Sequence, residues 1–498
     1  MPKYSSFLSA LACLIAMQTL PAVAAGGGSV PTHPCRVEGM PNELQCGSVQ
    51  RPLDPTRPAG PMIEVHYLVV PAMARNKHPD AVLLLAGGPG QSAIDVVPAV
   101  MARLARLNNR RDLVFIDQRG TGRSAPLQCA DESRLPVQQS IDPRQQLERL
   151  RQCSADLAKL PHGDMRFFTT TLAMQDFDAV REQLGVVQWN LIGASYGTRA
   201  ALEYLRQFPQ NVRRMVMDGV APPDMVLPVS FSIDGQSALD AMFKACETDT
   251  KGPFACASQY PHLRQQWTDL LKGLPRQVSV DHPITGKTEH FELTRAALLR
   301  LIRAPLYAPA LASALPAAID AAANGNFAGL VGLSGALGSR KSNRLAMGMH
   351  FAVVCAEDVP RIAGTGQTPG DDFGLLEAQM YESVCAFWPH GQAPQAFYRV
   401  PVAPSPVLVL SGGADPVTPR RHGDRVAKAL GAMAQHIVVP EAGHGVMGTG
   451  CMRDLVYRFI VAATDAAALP QDAGCAARVP RPFAFLPTQA GVGNGVQP

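Results

Sequence analysis

One pentapeptide restricts this chain more than any other feature. Gly193-Ala194-Ser195-Tyr196-Gly197 stands between an apolar run, Trp189-Asn190-Leu191-Ile192, and a helical segment from Thr198 to Phe208 that ends near Pro209. Such a pentapeptide arises by chance in glycine-rich chains, but a strand before it and a helix straight after it make a specific context. A serine at the apex of that turn projects its hydroxyl away from the sheet. The strand and helix pack so closely there that the flanking positions have no room for side chains, which is why glycines occupy them. The helix also aims its N-terminus at the same point, where it favours developing negative charge.

The surrounding pattern alternates strand and helix. Ile63 to Val70, Ala81 to Ala86, Leu113 to Ile116, Val212 to Met217, Pro406 to Leu410 and Ile437 to Val439 read as strands, several of them short apolar runs bounded by turn residues. Helical spacing appears at Ala93 to Leu107, Pro419 to Leu430 and Met452 to Ala463. It also appears at Leu172 to Leu184, with Leu172, Phe177, Val180 and Leu184 as the apolar stripe and Gly185 as the stop. This succession predicts an α/β fold, a mostly parallel sheet with helices on both faces. From about Pro222 to Arg344 strand alternation lapses and Ala, Leu and Pro dominate. That stretch is expected to be an inserted, mainly helical cap over 222–345, dividing a core into 26–221 and 346–486. Residues 487–498, with their Gly and Pro, are expected to be a loose tail. A length of 498 residues suits one large domain carrying such an insertion.

The N-terminus reads as an export signal over residues 1–25. Lys3 is the positive region, Phe7 to Leu20 is largely apolar, and Pro21-Ala22-Val23-Ala24-Ala25 offers small residues for cleavage. The apolar stretch falls short of the roughly 20 residues that a membrane span needs. A lipid attachment at Cys13 is disfavoured by the short lead-in. Losing the signal removes one of 11 cysteines and leaves an even ten. In an exported chain these are expected to form disulfides. Near neighbours give Cys35–Cys46, Cys129–Cys153, Cys246–Cys256, Cys355–Cys385 and Cys451–Cys475, each worth about 2–4 kcal/mol. The alternative is a set of buried thiols. A net charge of only +4, without basic runs, gives no case for nucleic acid or an anionic membrane surface.

A serine hydroxyl is a poor nucleophile until a base takes its proton. The base is expected to be a histidine oriented by a carboxylate, in the chain order serine, acid, histidine. Downstream, Leu408-Val409-Leu410-Ser411-Gly412-Gly413-Ala414-Asp415 puts an acid beyond a strand, and Glu441-Ala442-Gly443-His444-Gly445 puts a histidine beyond the next. Asp424 falls inside an expected helix, and Glu441 lies too near His444 to come from a separate strand. The tetrahedral intermediate needs two donors for its oxyanion. The Tyr196 N–H is one, and the Gly87-Gly88-Pro89-Gly90 loop supplies the other, at Gly88. That loop lacks the lysine of a nucleotide site. No Cys-x-x-Cys and no His-Glu-x-x-His occurs, so neither a metal nor a cofactor is expected.

With these residues in view the chain resembles the prolyl aminopeptidase and tripeptidyl aminopeptidase family of α/β-hydrolases. The resemblance rests on Gly87-Gly88-Pro89-Gly90, on Asp117-Gln118-Arg119-Gly120-Thr121-Gly122-Arg123-Ser124, and on Thr170 through Gly197. It also rests on Phe208-Pro209 to Asp218-Gly219, on Gly413-Ala414-Asp415-Pro416-Val417-Thr418-Pro419, and on Gly443-His444-Gly445. The cysteine-rich exported form is similar to the tripeptidyl branch. The resemblance implies an α/β-hydrolase fold, a triad of Ser195, Asp415 and His444, and an oxyanion hole at Gly88 and Tyr196. Many members carry histidine before the Gly-Gly-Pro-Gly loop; here it is Ala86, which puts the support of that loop in question.

The expected activity is aminopeptidase cleavage of peptides. A free α-amino group needs an anionic anchor, for which Glu357 and Asp358 are candidates, unless they are solvated surface acids. The same chemistry serves a small ester, and a relic site in a non-catalytic binding protein is a third reading. Partners are thus expected to be peptide or small-ester substrates, and nothing in the sequence sets an oligomeric state.

Overall fold

A computed structural model describes residues 32–132, 135–252, 255–336 and 344–486. The expected signal at 1–25 and tail at 487–498 lie outside the described residues.

Nine strands form one sheet: β1 (His33–Cys35), β2 (Leu44–Pro52), β3 (Met62–Val70), β4 (Ala81–Leu85), β5 (Leu113–Ile116), β6 (Trp189–Ala194), β7 (Val212–Asp218), β10 (Val407–Gly412) and β11 (Ala434–Val439). Their order is β1-β2-β3-β5-β4-β6-β7-β10-β11. The six strands from β5 to β11 run parallel, and β1, β2 and β3 extend the sheet antiparallel at one edge. The strand order reverses at β4: the chain moves to one side for β5 and returns to the other for β6. Ligand sites in open parallel sheets form at such a switch point, outside the carboxyl ends of the strands.

The apolar runs read from sequence are strands because both faces are covered. Along β4, Ala81, Leu83 and Leu85 enter one core cluster while Val82 and Leu84 enter the other, the two-residue period of a strand. One face is covered by α3 (Thr170–Leu184), α4 (Tyr196–Gln207) and α9 (Arg420–Leu430), the other by α1 (Val97–Leu104) and α10 (Met452–Val461). The apolar stripe expected on α3 is displaced. Ala173, Met174, Phe177 and Val180 are buried, whereas Leu172 and Leu184 are half-buried, because the buried side also carries the carboxylates of Asp176 and Asp178. Gly185 ends α3 in a left-handed conformation, as expected.

Strands β1 and β2 were not foreseen. Leu44–Pro52 is polar along its outer half and pairs on β3 from Gln45↔Val69 to Pro52↔Met62. The reading of 222–344 as lacking strand alternation is also corrected. It holds helices α5 (Leu227–Thr248) and α6 (Arg295–Leu306), but between them β8 (Arg276–Asp281) pairs antiparallel with β9 (Thr288–Leu293). The hairpin buries Val278, Val280, Phe291 and Leu293 on one face only, against the helices of the insertion. Two further helices, α7 (Met347–Glu357) and α8 (Leu376–Cys385), precede the return to the sheet at β10, and α2 (Pro143–Leu157), which lies before α3, packs on α8.

The ten cysteines of the described residues pair as Cys35–Cys46, Cys129–Cys153, Cys246–Cys256, Cys355–Cys385 and Cys451–Cys475. Among the described residues no helix is long and apolar enough to cross a membrane.

Candidate active site

Ser195 occupies the one-residue turn between β6 and α4 with φ 55°. A left-handed serine is strained by about 1–3 kcal/mol, so its surroundings must hold it. They do so from both sides: the Ser195 N–H donates to the Asp218 carbonyl at 2.9 Å, and the Ser195 carbonyl accepts from Thr198 N at 2.9 Å and Thr198 Oγ1 at 2.6 Å. The flanking glycines are obligatory. A Cβ on Gly193 would lie 2.5 Å from the Gly197 carbonyl oxygen, and one on Gly197 would lie 2.1 Å from that of Leu85.

Asp415 follows β10 and His444 follows β11, at the same sheet edge. His444 Nδ1 donates to Asp415 Oδ2 at 2.8 Å. Asp415 Oδ1 accepts from the N–H groups of Val417 and Thr418, and Oδ2 also accepts from Thr418 Oγ1. Burial alone would raise this carboxyl, but His444 and the backbone N–H groups of Thr418 and Val417 outweigh it and hold the pKa below the usual aspartate range. Burial likewise pulls the imidazole down, yet the Asp415 charge and hydrogen bond prevail and raise its pKa. With Nδ1 committed to the carboxylate, Nε2 is the nitrogen available to a hydroxyl.

Asp218, at the end of β7, ties this loop to the elbow. Its backbone carbonyl holds Ser195, while its carboxylate accepts from Val446 N and Met447 N at 2.7 and 2.9 Å. Gly219 follows with φ +70°, and a Cβ there would lie 3.3 Å from His444 Cε1. The His444 N–H donates to the Tyr307 carbonyl at 2.9 Å, and the Tyr307 ring meets the imidazole edge-on at 5.2 Å. The rival acids are engaged elsewhere: Asp424 pairs with His436 and Arg420, and Glu441 faces Arg481. Asp218, Thr418 and Tyr307 were given no role from sequence. Asp218 and Thr418 stand in stretches that carry the family resemblance, whereas Tyr307 left no signal.

The Gly87-Gly88-Pro89-Gly90 loop leaves β4 beside the elbow, and a Cβ on Gly87 would lie 3.4 Å from Ser195 Cβ. Gly88 and Gly90 take φ values of 109° and 108°, a region that favours glycine. Tyr196 opens α4, where the first N–H groups have no acceptor within the helix. The loop has its own supports despite Ala86. Gln91 Oε1 accepts from Gly87 N, and the Gly90 carbonyl accepts from Ala346 N at 2.8 Å. The buried His350 of α7 donates from Nδ1 to the Pro89 carbonyl at 3.1 Å, because a carbonyl only accepts. Its Nε2 then accepts from the Tyr381 hydroxyl at 2.9 Å. Burial lowers the His350 pKa, in keeping with this neutral form.

The run Asp117 to Ser124 supports the elbow from behind. Asp117 accepts from Ser92 Oγ, Ile94 N and Arg123 N, and a Cβ on Gly122 would lie 1.8 Å from Asp117 Oδ2. Gln118 Nε2 donates to the Tyr196 hydroxyl at 3.0 Å. Arg119 is buried and makes two bonds to Asp176 at 2.7 and 2.8 Å.

Glu357 and Asp358 are neither solvated surface acids nor open to a substrate amine; both are 0% exposed. Asp358 makes a bidentate pair with Arg199 at 2.9 and 3.0 Å and also accepts from Leu227 N. Glu357 accepts from Thr170 N and Oγ1, and Thr170 Oγ1 lies 2.5 Å from the Tyr196 hydroxyl. Burial pushes the Glu357 carboxyl up to about 7, since the single guanidinium of Arg199 is already matched by Asp358.

A strained serine at the switch point of such a sheet, with an acid-paired imidazole after the last strand of the same edge, fits the α/β-hydrolase class of serine hydrolases, and the chain is one of them. A family profile described as "alpha/beta hydrolase fold" matches residues 80–289, and one described as "TAP-like protein" matches residues 373–475. The chain thus carries an α/β-hydrolase domain and, towards its C-terminus, a TAP-like one. It is 24% identical over 477 residues to serine protease Hip1 of Mycobacterium tuberculosis, covering 88% of this chain and 90% of that one. Over 201 residues it is 31% identical to the tripeptidyl aminopeptidase of Streptomyces coelicolor, covering 37% and 36%. Over 423 residues it is 27% identical to carboxylesterase B of M. tuberculosis, covering 78% of each.

Proposed function

We propose that the chain is an exported serine aminopeptidase that cleaves peptides near their free N-terminus. The observation that carries the chemistry is the hydrogen bond from His444 Nδ1 to Asp415 Oδ2 at the sheet edge where Ser195 is held in its strained turn. Ser195 Oγ attacks the scissile carbonyl carbon while His444 Nε2 takes its proton. The oxyanion accepts from the N–H groups of Tyr196 and Gly88. Collapse of the intermediate expels the amine, which takes the proton from His444, and leaves an acyl-serine. Water, deprotonated by the same imidazole, then releases the acid. Asp415 keeps Nδ1 protonated and stabilises the imidazolium.

Peptide substrates are supported by the relatives named serine protease and tripeptidyl aminopeptidase. Export is supported by the apolar N-terminal segment and the five disulfides. The insertion over 222–345 serves as the cap that shapes the substrate site, between core halves 26–221 and 346–486. The relative named carboxylesterase B favours a second reading, a carboxylester hydrolase working through the same residues.

A peptide-library digest read by mass spectrometry, run beside an aryl-ester panel, tests both. Short N-terminal fragments released by the wild type and abolished in Ser195→Ala are expected. Aryl-ester turnover without any peptide cleavage would select the esterase. A fluorophosphonate that labels Ser195→Ala as well as the wild type would dismiss Ser195 as the nucleophile.

A further inference from the structure

A groove of about 280 Å³ opens between α2, α6 and α8. Its walls are apolar, with Leu147 and Phe373 among them, but its charge is one-sided. Arg144, Arg300 and Arg303 line it against the single carboxylate of Glu377. Glu377 Oε1 is shared, 3.5 Å from Arg300 Nε and 3.8 Å from Arg303 Nη2. Arg300 also donates to Gln146 Oε1. Arg303 is the least satisfied of the three. Its Nη1 is buried without a hydrogen-bond partner among the described residues, and its guanidinium lies over the Phe231 ring at 4.6 Å. A buried guanidinium donor left in this state favours any acceptor that can reach it, an anionic one most of all.

Two helices connect the walls of the groove to the proposed chemistry. Tyr307 follows Arg303 by four residues, one helical turn, and it is the Tyr307 ring and carbonyl that hold His444. On the other side, Glu377 shares α8 with Tyr381, whose hydroxyl holds the His350 that bonds the Pro89 carbonyl. Arg303 is thus linked along its helix through Tyr307 to His444, and Glu377 along α8 through Tyr381 and His350 to the loop at Pro89.

We propose that this groove is a subsite for a carboxylate of the substrate, with Arg303 as its principal anchor and Arg300 as its second. The proposal rests on the peptidase reading above. Two sources share that chemistry: an Asp or Glu side chain of the peptide, and its C-terminal carboxylate. Apolar walls beside the guanidinium groups fit the methylenes that carry either group.

The test compares kcat/KM for matched peptides, Glu against Gln at each position and free against amidated C-termini. Wild type, Arg303→Met, Arg303→Lys and Glu377→Gln are assayed, each normalised to its own turnover of p-nitrophenyl acetate. The wild type is expected to prefer one carboxylate-bearing peptide by roughly tenfold or more. That preference is expected to collapse in Arg303→Met, to return in part in Arg303→Lys, and to grow in Glu377→Gln, where the competing acid is gone. The Glu/Gln pair and the free/amidated pair separate the two sources. Equal rates within every pair for the wild type, or a preference that survives Arg303→Met in folded protein, would overturn the subsite. A wild type that is labelled at Ser195 yet cleaves no peptide would overturn the peptidase reading instead. The same comparison is then made with aryl hemisuccinate and its methyl ester, whose equal turnover would overturn the subsite as well.

Discussion

Asp415 exchanges water for three donors and an imidazole, and that exchange sets where a proton rests. Because the Asp415 charge holds the His444 pKa above the ordinary imidazole value of 6.5, the neutral imidazole that the proposed mechanism uses as its base predominates only above that raised pKa. The pH profile of kcat/KM is therefore expected to rise along an acid limb centred above 6.5. Asp415→Asn removes the raising charge, so the limb is expected to move down in pH while kcat falls by roughly 10⁴-fold, as when the triad carboxylate of a serine protease is made an amide. A limb that stays in place in Asp415→Asn would assign it to another group. At this scale the sequence was readable for the tight turn at Ser195 and for the pairing of Asp415 with His444, because each follows a recognisable strand in a fixed chain order. It was unreadable for Glu357 and Asp358. Arg199, the partner of Asp358, lies on the helix behind the elbow and Thr170, the partner of Glu357, on α3, and no local pattern reports a pairing between segments so far apart in the chain.

Among the elements, short apolar runs were legible as strands because a parallel strand is buried on both faces and carries its signal in every residue. Strand β2 and the β8–β9 hairpin were not, since each has one polar face and its place is set by pairing rather than composition. The position of α3 is governed by an ion pair as much as by its apolar stripe. Asp176 on α3 takes both Nε and Nη2 of Arg119 and also faces Arg51, and so locks the 117–124 turn to the helix. Asp176→Asn leaves the Arg119 guanidinium buried and uncompensated, and a loss of about 3–5 kcal/mol in unfolding free energy is expected. Urea denaturation checks this, and a loss below 1 kcal/mol would show that the turn holds without the carboxylate.

For the whole molecule, the sequence conveyed a sheet interrupted by an insertion but not how the two depend on each other. Cys355–Cys385 joins α7, which carries His350, to α8, which carries Tyr381 and Glu377. It closes a loop over a sequence separation of 30 residues, for which about 3–4 kcal/mol of stability is expected. The Cys355→Ser/Cys385→Ser double variant is expected to lose that much in denaturant unfolding. It is also expected to lose kcat on small aryl esters, because the His350–Pro89 contact loosens with it; unchanged ester turnover would separate the disulfide from the Gly87-Gly88-Pro89-Gly90 loop.

The chain between β7 and β10 grips both loops that carry the site residues at this sheet edge: Tyr307 holds the backbone of His444, Ala346 holds Gly90, and His350 holds Pro89. It is accordingly no detachable visor. A trimmed enzyme reduced to its bare sheet would forfeit reactivity along with selectivity, and shuffling such segments between relatives has to transplant these three handholds with them.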